Sequence, residues 1–185
     1  MNVSEIYSKL AERMIGGMMF HDSMSQYYRF LGLNGYARCH EYHYCKESKG
    51  YQKLCRYFTE HHNKLIPESK VDVLEYIPSG WYMYARQDVD TGTKRQAVKD
   101  GVEKYVAWEQ GTKDLYQRMY RELMEIGEVA SAKFVCCFVK DVDRELKYAQ
   151  KKHIKLKTAD YDIGTILAEQ DALHKKYKVM QSGKS

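Results

Sequence analysis

Tyr28-Arg29-Phe30-Leu31-Gly32-Leu33-Asn34-Gly35-Tyr36-Ala37 places two glycines and an asparagine within four residues, between two long helical patterns. Gly32-Leu33-Asn34-Gly35 reads as a tight turn, because glycine and asparagine reach chain-reversing backbone conformations at low cost. Before it, Val3, Tyr7, Leu10, Met14, Met18, Met24, Tyr28 and Leu31 recur mostly in steps of three and four. That spacing marks the apolar face of a helix over about 3–31, with Ser4 as its expected cap. After the turn a second helix is expected over 36–62, with Tyr36, Leu54 and Phe58 facing inward. At about 1.5 Å per residue each helix is roughly 40 Å long, and so short a turn lays them antiparallel.

Further along, residues 63–93 lose the period and carry Pro67, Pro78, Gly80 and Gly92, with Val71-Asp72-Val73-Leu74 reading as extended. Some thirty residues span well over 40 Å when extended, enough for a crossover along a whole bundle. Helical spacing resumes with Val98, Val102, Tyr105, Trp108, Thr112, Leu115, Met119, Leu123 and Ile126. A turn is expected at Gly127, and Ala132, Val135, Phe138, Val139, Val142, Leu146 and Ala149 continue beyond it. Helices are thus expected over 94–126 and 129–157. A short fifth, over 161–178, would be capped by Thr158-Ala159-Asp160, with Ile163, Ile166, Leu167, Leu173 and Tyr177 on its apolar side. The expected fold is all-α: a single domain over 1–185, with two antiparallel helix hairpins, a long crossover and a short C-terminal helix.

Composition agrees. Only two prolines and twelve glycines occur in 185 residues, which disfavours a many-turned β-sandwich. Hydrophobic residues make up 44% and charged residues 30%, enough apolar material for a core, so extended disorder is excluded. No run of eighteen apolar residues exists, and Met1-Asn2-Val3-Ser4-Glu5 is not the basic-then-apolar start of a secretion signal. A cytoplasmic protein with no membrane partner is expected. Cys39, Cys45, Cys55, Cys136 and Cys137 form no CxxC pair and are odd in number, so buried free thiols are expected rather than a disulfide framework or a zinc site. The net charge of +5 is interspersed with acidic groups. The one dense basic stretch, Lys147 to Lys157, reads as a solvated helix end rather than a nucleic-acid surface.

Several ionisable residues fall on the inward stripes. His21 continues the row Met14, Met18, Met24 and Tyr28; His40, His43 and Glu47 lie between Tyr36 and Leu54. Glu109 follows Tyr105 by four, and Glu145 lies between Val142 and Ala149. A buried carboxylate is costly unless it is paired or bound to a cation. Carboxylates and imidazoles from facing helices are also the ligand set of a bundle-core iron or manganese site. Two readings stay open: tyrosine-bonded core histidines with lysine-paired glutamates, or a metal site.

The architecture resembles the ferritin-like superfamily over almost the whole chain. Gly35-Tyr36-Ala37 and Tyr51-Gln52-Lys53-Leu54-Cys55-Arg56-Tyr57 bound the second helix much as ferritins do, and Val73-Leu74-Glu75-Tyr76-Ile77-Pro78 is similar in the crossover. The resemblance implies a ferritin-like four-helix bundle, with Glu47 at the bridging glutamate of a Glu-x-x-His motif, Glu109 at the third-helix glutamate and Glu145 at a fourth-helix acidic position. It also places Gly50 where the motif has histidine and Met14 where the first helix has glutamate, so the family's diiron centre is not carried over intact. A site displaced toward the first turn, with His21, His43, Glu47, Glu109 and Glu145, is the expectation. The resemblance implies ferrous iron binding, its oxidation and storage, and a homo-oligomer. Manganese or no metal are the alternatives for the ion, and a bundle without metal chemistry serving as an oligomeric or partner-binding scaffold is the alternative for function. A DNA-protecting relative is disfavoured, since no flexible basic tail is present and nucleic acid is not an expected partner.

Overall fold

The computed structural model describes residues 1–67 and 89–182, in five helices: α1 (Val3–Phe30), α2 (Asn34–His62), α3 (Thr91–Glu125), α4 (Val129–Thr158) and α5 (Ile163–Ser182). Asn2, not Ser4, caps α1. Its side chain accepts from Glu5 N at 3.0 Å while the Glu5 carboxylate accepts from Asn2 N at 2.9 Å, a reciprocal capping box.

α1 and α3 end alike. Gly32 (φ +74°) and Gly127 (φ +81°) take the left-handed backbone that costs glycine no Cβ clash. Leu33 N then donates to Tyr28 O, and Glu128 N to Leu123 O, each at 2.8 Å, closing both helices as Schellman motifs. The first turn is tighter than expected, and Asn34 and Gly35 already belong to α2. α3 starts at Thr91 because Asp90 caps it, accepting from Thr93 N at 2.6 Å. Thr158 ends α4, while Asp160 and Tyr161 are left-handed (φ +47° and +51°) and so cannot open α5. Asp162 opens it instead, accepting from Thr165 N at 3.0 Å.

Helices α1 and α2 form one hairpin and α3 and α4 the other. The hairpins meet where Phe20 of α1 stacks on Trp108 of α3 at 5.1 Å and Tyr57 of α2 stacks on Phe134 of α4 at 3.8 Å between ring centroids. α5 lies on α2, so close at Gly35 that a Cβ there would stand 2.0 Å from the Gln170 carbonyl oxygen. His62 Nε2, at the end of α2, lies 3.1 Å from Ser131 Oγ at the start of α4. Arg95 Nε, in the first turns of α3, donates at 3.1 Å to Tyr161 O just beyond the end of α4. The expected crossover over 63–93 therefore joins points at opposite ends of α4, roughly 40 Å apart. Its residues 68–88, including Val71–Leu74, Pro78, Gly80 and the aromatic run Trp81-Tyr82-Met83-Tyr84, lie outside the described residues.

Among the described residues the apolar core forms two clusters. One joins Ile6, Leu10, Met14, Leu54, Phe58, Tyr116, Met119, Val135, Phe138 and Val142; the other joins Phe20, Met24, Tyr28, Tyr36, Tyr105, Trp108, Ala149, Leu156, Ile166 and Tyr177. Two expected inward positions face water. Ile126 (45% exposed) lies past the last turn of α3, and Leu167 (44%) is rotated off the row Ile166, Leu173 and Tyr177. All five described cysteines are free, but only Cys39 is buried; Cys55 and Cys136 are half-buried, and Cys45 and Cys137 are exposed. Among the described residues no helix is long and apolar enough to cross a membrane.

Candidate metal centre

Every helix of the two hairpins switches from one core cluster to the other near its middle, and the polar side chains occupy that level. On α1 the step is from Met14 to Phe20, with Gly17 and His21; on α2 it is from Leu54 to Cys39, with Gly50, Glu47 and His43. α3 contributes Glu109 and Thr112 between Trp108 and Tyr116, and α4 contributes Glu145 between Val142 and Ala149.

His21 is fully buried and Glu109 is 1% exposed, with His21 Nε2 3.9 Å from Glu109 Oε1. Among the described residues neither Glu109 oxygen nor His21 Nε2 has a hydrogen-bond partner. His43 Nδ1, also without a partner, lies 3.7 Å from Glu145 Oε1. The outer nitrogens are held: His21 Nδ1 is 2.9 Å from His40 Nδ1, and His43 Nε2 is 3.0 Å from the Tyr105 hydroxyl. The His21 and His43 rings stack with centroids 5.2 Å apart. Each orphaned imidazole nitrogen therefore points at a carboxylate, with its ring fixed from behind.

Charge behaves as burial dictates. Burial pushes the His21 imidazole down to about 3, and burial with neighbouring imidazoles holds His40 and His43 well below their usual range, so all three are neutral. Burial, then the Glu145 and Glu47 carboxylates, raise Glu109 well above the carboxylate range. Burial and Glu145 push Glu47 up to about 8. Burial also raises Glu145, against the opposing pull of Lys46, with which it forms an ion pair. A second cation, Arg13, lowers both Glu47 and Glu109. Its guanidinium lies over the Trp108 ring at 3.4 Å and donates to Trp108 O at 2.7 Å and to Thr112 Oγ1 at 2.8 Å.

Glu47 is half-buried at a cavity of about 200 Å³, lined among others by Met14, Gly50, Thr112, Tyr116 and Glu145. A Cβ on Gly17 would stand 3.1 Å from Glu47 Cδ, whereas a Cβ on Gly50 would meet Met14 Sδ at 3.8 Å. The α1 residue facing Glu47 is thus Gly17, and Met14 faces Gly50. Neither glycine offers a ligand.

Two ligand atoms about 2.1 Å from one ion stand roughly 3–4 Å apart. Both His–Glu pairs have that spacing, and their donor atoms suit a divalent transition ion. The five expected residues are nevertheless not gathered as one set: among the described residues no three His, Cys, Asp or Glu side chains form a group that could hold a metal ion. His21 with Glu109 and His43 with Glu145 are two separate pairs, and Glu47 stands at the cavity. Sequence reasoning missed Arg13, Lys46 and the positioning contacts of His40 and Tyr105. The row Arg13, Gly17, His21, Ser25, in steps of four, was the available signal for Arg13.

No family model matches the sequence, and no curated protein matches it. Solved structures do. An open-pore ferritin from the hyperthermophilic archaeon Archaeoglobus fulgidus superposes with a TM-score of 0.76 at 17% identity, covering 92% of this chain and 94% of that one. A humanized archaeal ferritin gives 0.72 at 16% identity, covering 92% and 93%. An Archaeoglobus fulgidus ferritin engineered to a closed form gives 0.72 at 14%, covering 94% and 96%. The chain, two helix hairpins followed by a fifth helix, has the ferritin-like fold.

Proposed function

We propose that this chain is a ferritin-like iron-binding protein, taking up ferrous iron at the polar level of the bundle. One observation carries the reading: Glu109 is buried with both oxygens unbonded and faces the unbonded Nε2 of His21. A carboxylate so placed is expensive to keep without a cation or a proton. Glu109 with His21 and Glu145 with His43 supply the donors, and Glu47 lines one cavity with Glu145, Met14 and Gly50. His40 and Tyr105 hold the rings in position, as outer partners do at metal sites. Bound ferrous iron supplies a one-electron reductant for dioxygen or peroxide; the protein's part is to orient donors and exclude water. Storage in a homo-oligomer is the extension that the fold supports.

The test is an anaerobic titration of the metal-stripped protein with ferrous iron, followed by oxygen, with near-ultraviolet absorbance and bound-metal analysis. Saturable uptake at a defined ratio is expected, at least tenfold weaker in Glu109→Gln. Uptake no greater than that of a surface-binding control, unchanged by Glu109→Gln, contradicts it. The second reading, a bundle without metal chemistry acting as a scaffold, is favoured by Gly17 and Gly50 at ligand level and by Arg13 and Lys46 as built-in cations beside the carboxylates. That reading expects this second result.

A further inference from the structure

Lys152 of α4 is 6% exposed, yet among the described residues no carboxylate lies within ion-pair distance of its ammonium. Its Nζ instead donates to Cys39 Sγ of α2 at 3.7 Å. The Tyr36 and Tyr148 rings flank it, with centroids 5.5 Å and 5.0 Å from Nζ. Cys39 is 1% exposed and belongs to the same core cluster as Tyr177 of α5. The group in contact with this enclosed ammonium is the Cys39 sulfur, so a nucleophilic thiol and an amine meet away from water. Burial pulls Lys152 toward its neutral form, but its interactions with Cys39, Tyr148 and Glu169 outweigh that and hold its pKa above the ordinary lysine range.

We propose that Cys39 and Lys152 are an oxidisable pair: hydrogen peroxide converts them into a covalent Sγ–Nζ sulfenamide that staples α2 to α4. The Cys39 thiolate attacks a peroxide oxygen, the O–O bond breaks, and a sulfenic acid and hydroxide form. The hydroxide takes a proton from the Lys152 ammonium and becomes water. Lys152 is then a free amine, the form that burial favours. The Nζ lone pair attacks sulfur, the S–O bond breaks, and hydroxide departs with an Nζ proton as a second water. One peroxide is reduced by the two electrons that sulfur loses, and two waters result. Condensation of a sulfenic acid with nitrogen is established thiol chemistry, and the dry setting keeps out bulky thiols that would otherwise capture the sulfur first. The proposal is independent of iron binding.

The test uses the full chain with Cys45, Cys55, Cys136 and Cys137 changed to serine, treated with hydrogen peroxide and analysed by intact mass and peptide mapping. The expected product has lost the mass of two hydrogens, yields a cross-linked peptide joining Cys39 to Lys152, reverts with dithiothreitol once the chain is unfolded, and is absent from Lys152→Arg. Should the serine variant fail to fold, the wild-type protein with its accessible thiols alkylated under native conditions gives the same readout. Separate peptides, with Cys39 either unmodified or carrying only added oxygen, overturn the proposal.

Discussion

Glu47 and Gly50 are three residues apart on α2, and both bear on the polar level. Glu47 has a folded-state pKa near 8 in the metal-free protein, against 4.5 for an ordinary glutamate. Its proton therefore favours the folded chain. That contribution is complete below about pH 4.5 and is lost as pH rises through about 8. Above about pH 6.5, where the buried neutral histidines no longer add an opposing slope, thermal melts of metal-free protein should show Tm falling to pH 8.5, less steeply in Glu47→Gln. Gly50 makes a separate case. A Cβ there finds only ordinary contacts at 3.8 Å with Met14 and Phe138, so Gly50→Ala should fold and gain about 0.5–1 kcal/mol from helix propensity in urea unfolding. The ionisable residues were legible because charge on an apolar stripe stands out. Gly17 was not: with no side chain it leaves no mark in a hydrophobic pattern, although its backbone decides what faces Glu47.

Helix ends and helix contacts followed different rules. The two hairpin turns could be read from Gly32 and Gly127, since a left-handed closure nearly requires glycine. The cap of α1 and the start of α5 were misplaced because Asn2 and Asp162 compete with nearby Ser4 and Asp160, and only backbone geometry decides among adjacent capping residues. Gly35 was read as part of a turn, yet it sits inside α2 where α5 crosses within van der Waals reach. Gly35→Ala would drive a Cβ to 2.0 Å from the Gln170 carbonyl, a backbone atom that moves only with the whole helix. It should cost about 1–3 kcal/mol in urea unfolding. Hydrogen exchange should quicken in α5 first, since α5 alone must lift.

In the assembled bundle, the match of one hairpin to the other had no counterpart in the sequence. Counting from the turns levels His21 with His43 and Glu109 with Glu145, but the long connection erases the offset between the pairs. The structure supplies it: His21 meets Glu109 across α1 and α3, and His43 meets Glu145 across α2 and α4. The same packing brings Arg13 and Lys46 beside the carboxylates, so under the proposed function a divalent ion competes with two resident cations. Iron binding should accordingly strengthen in Lys46→Met, which frees Glu145, by about tenfold in the anaerobic titration. The decisive measurement is anomalous scattering at the iron edge from crystals soaked anaerobically in ferrous salt. The proposed function requires a peak within bonding distance of the Glu109 carboxylate and His21 Nε2. Iron density confined to surface carboxylates, with Glu109 and His21 unliganded in the core, would contradict it.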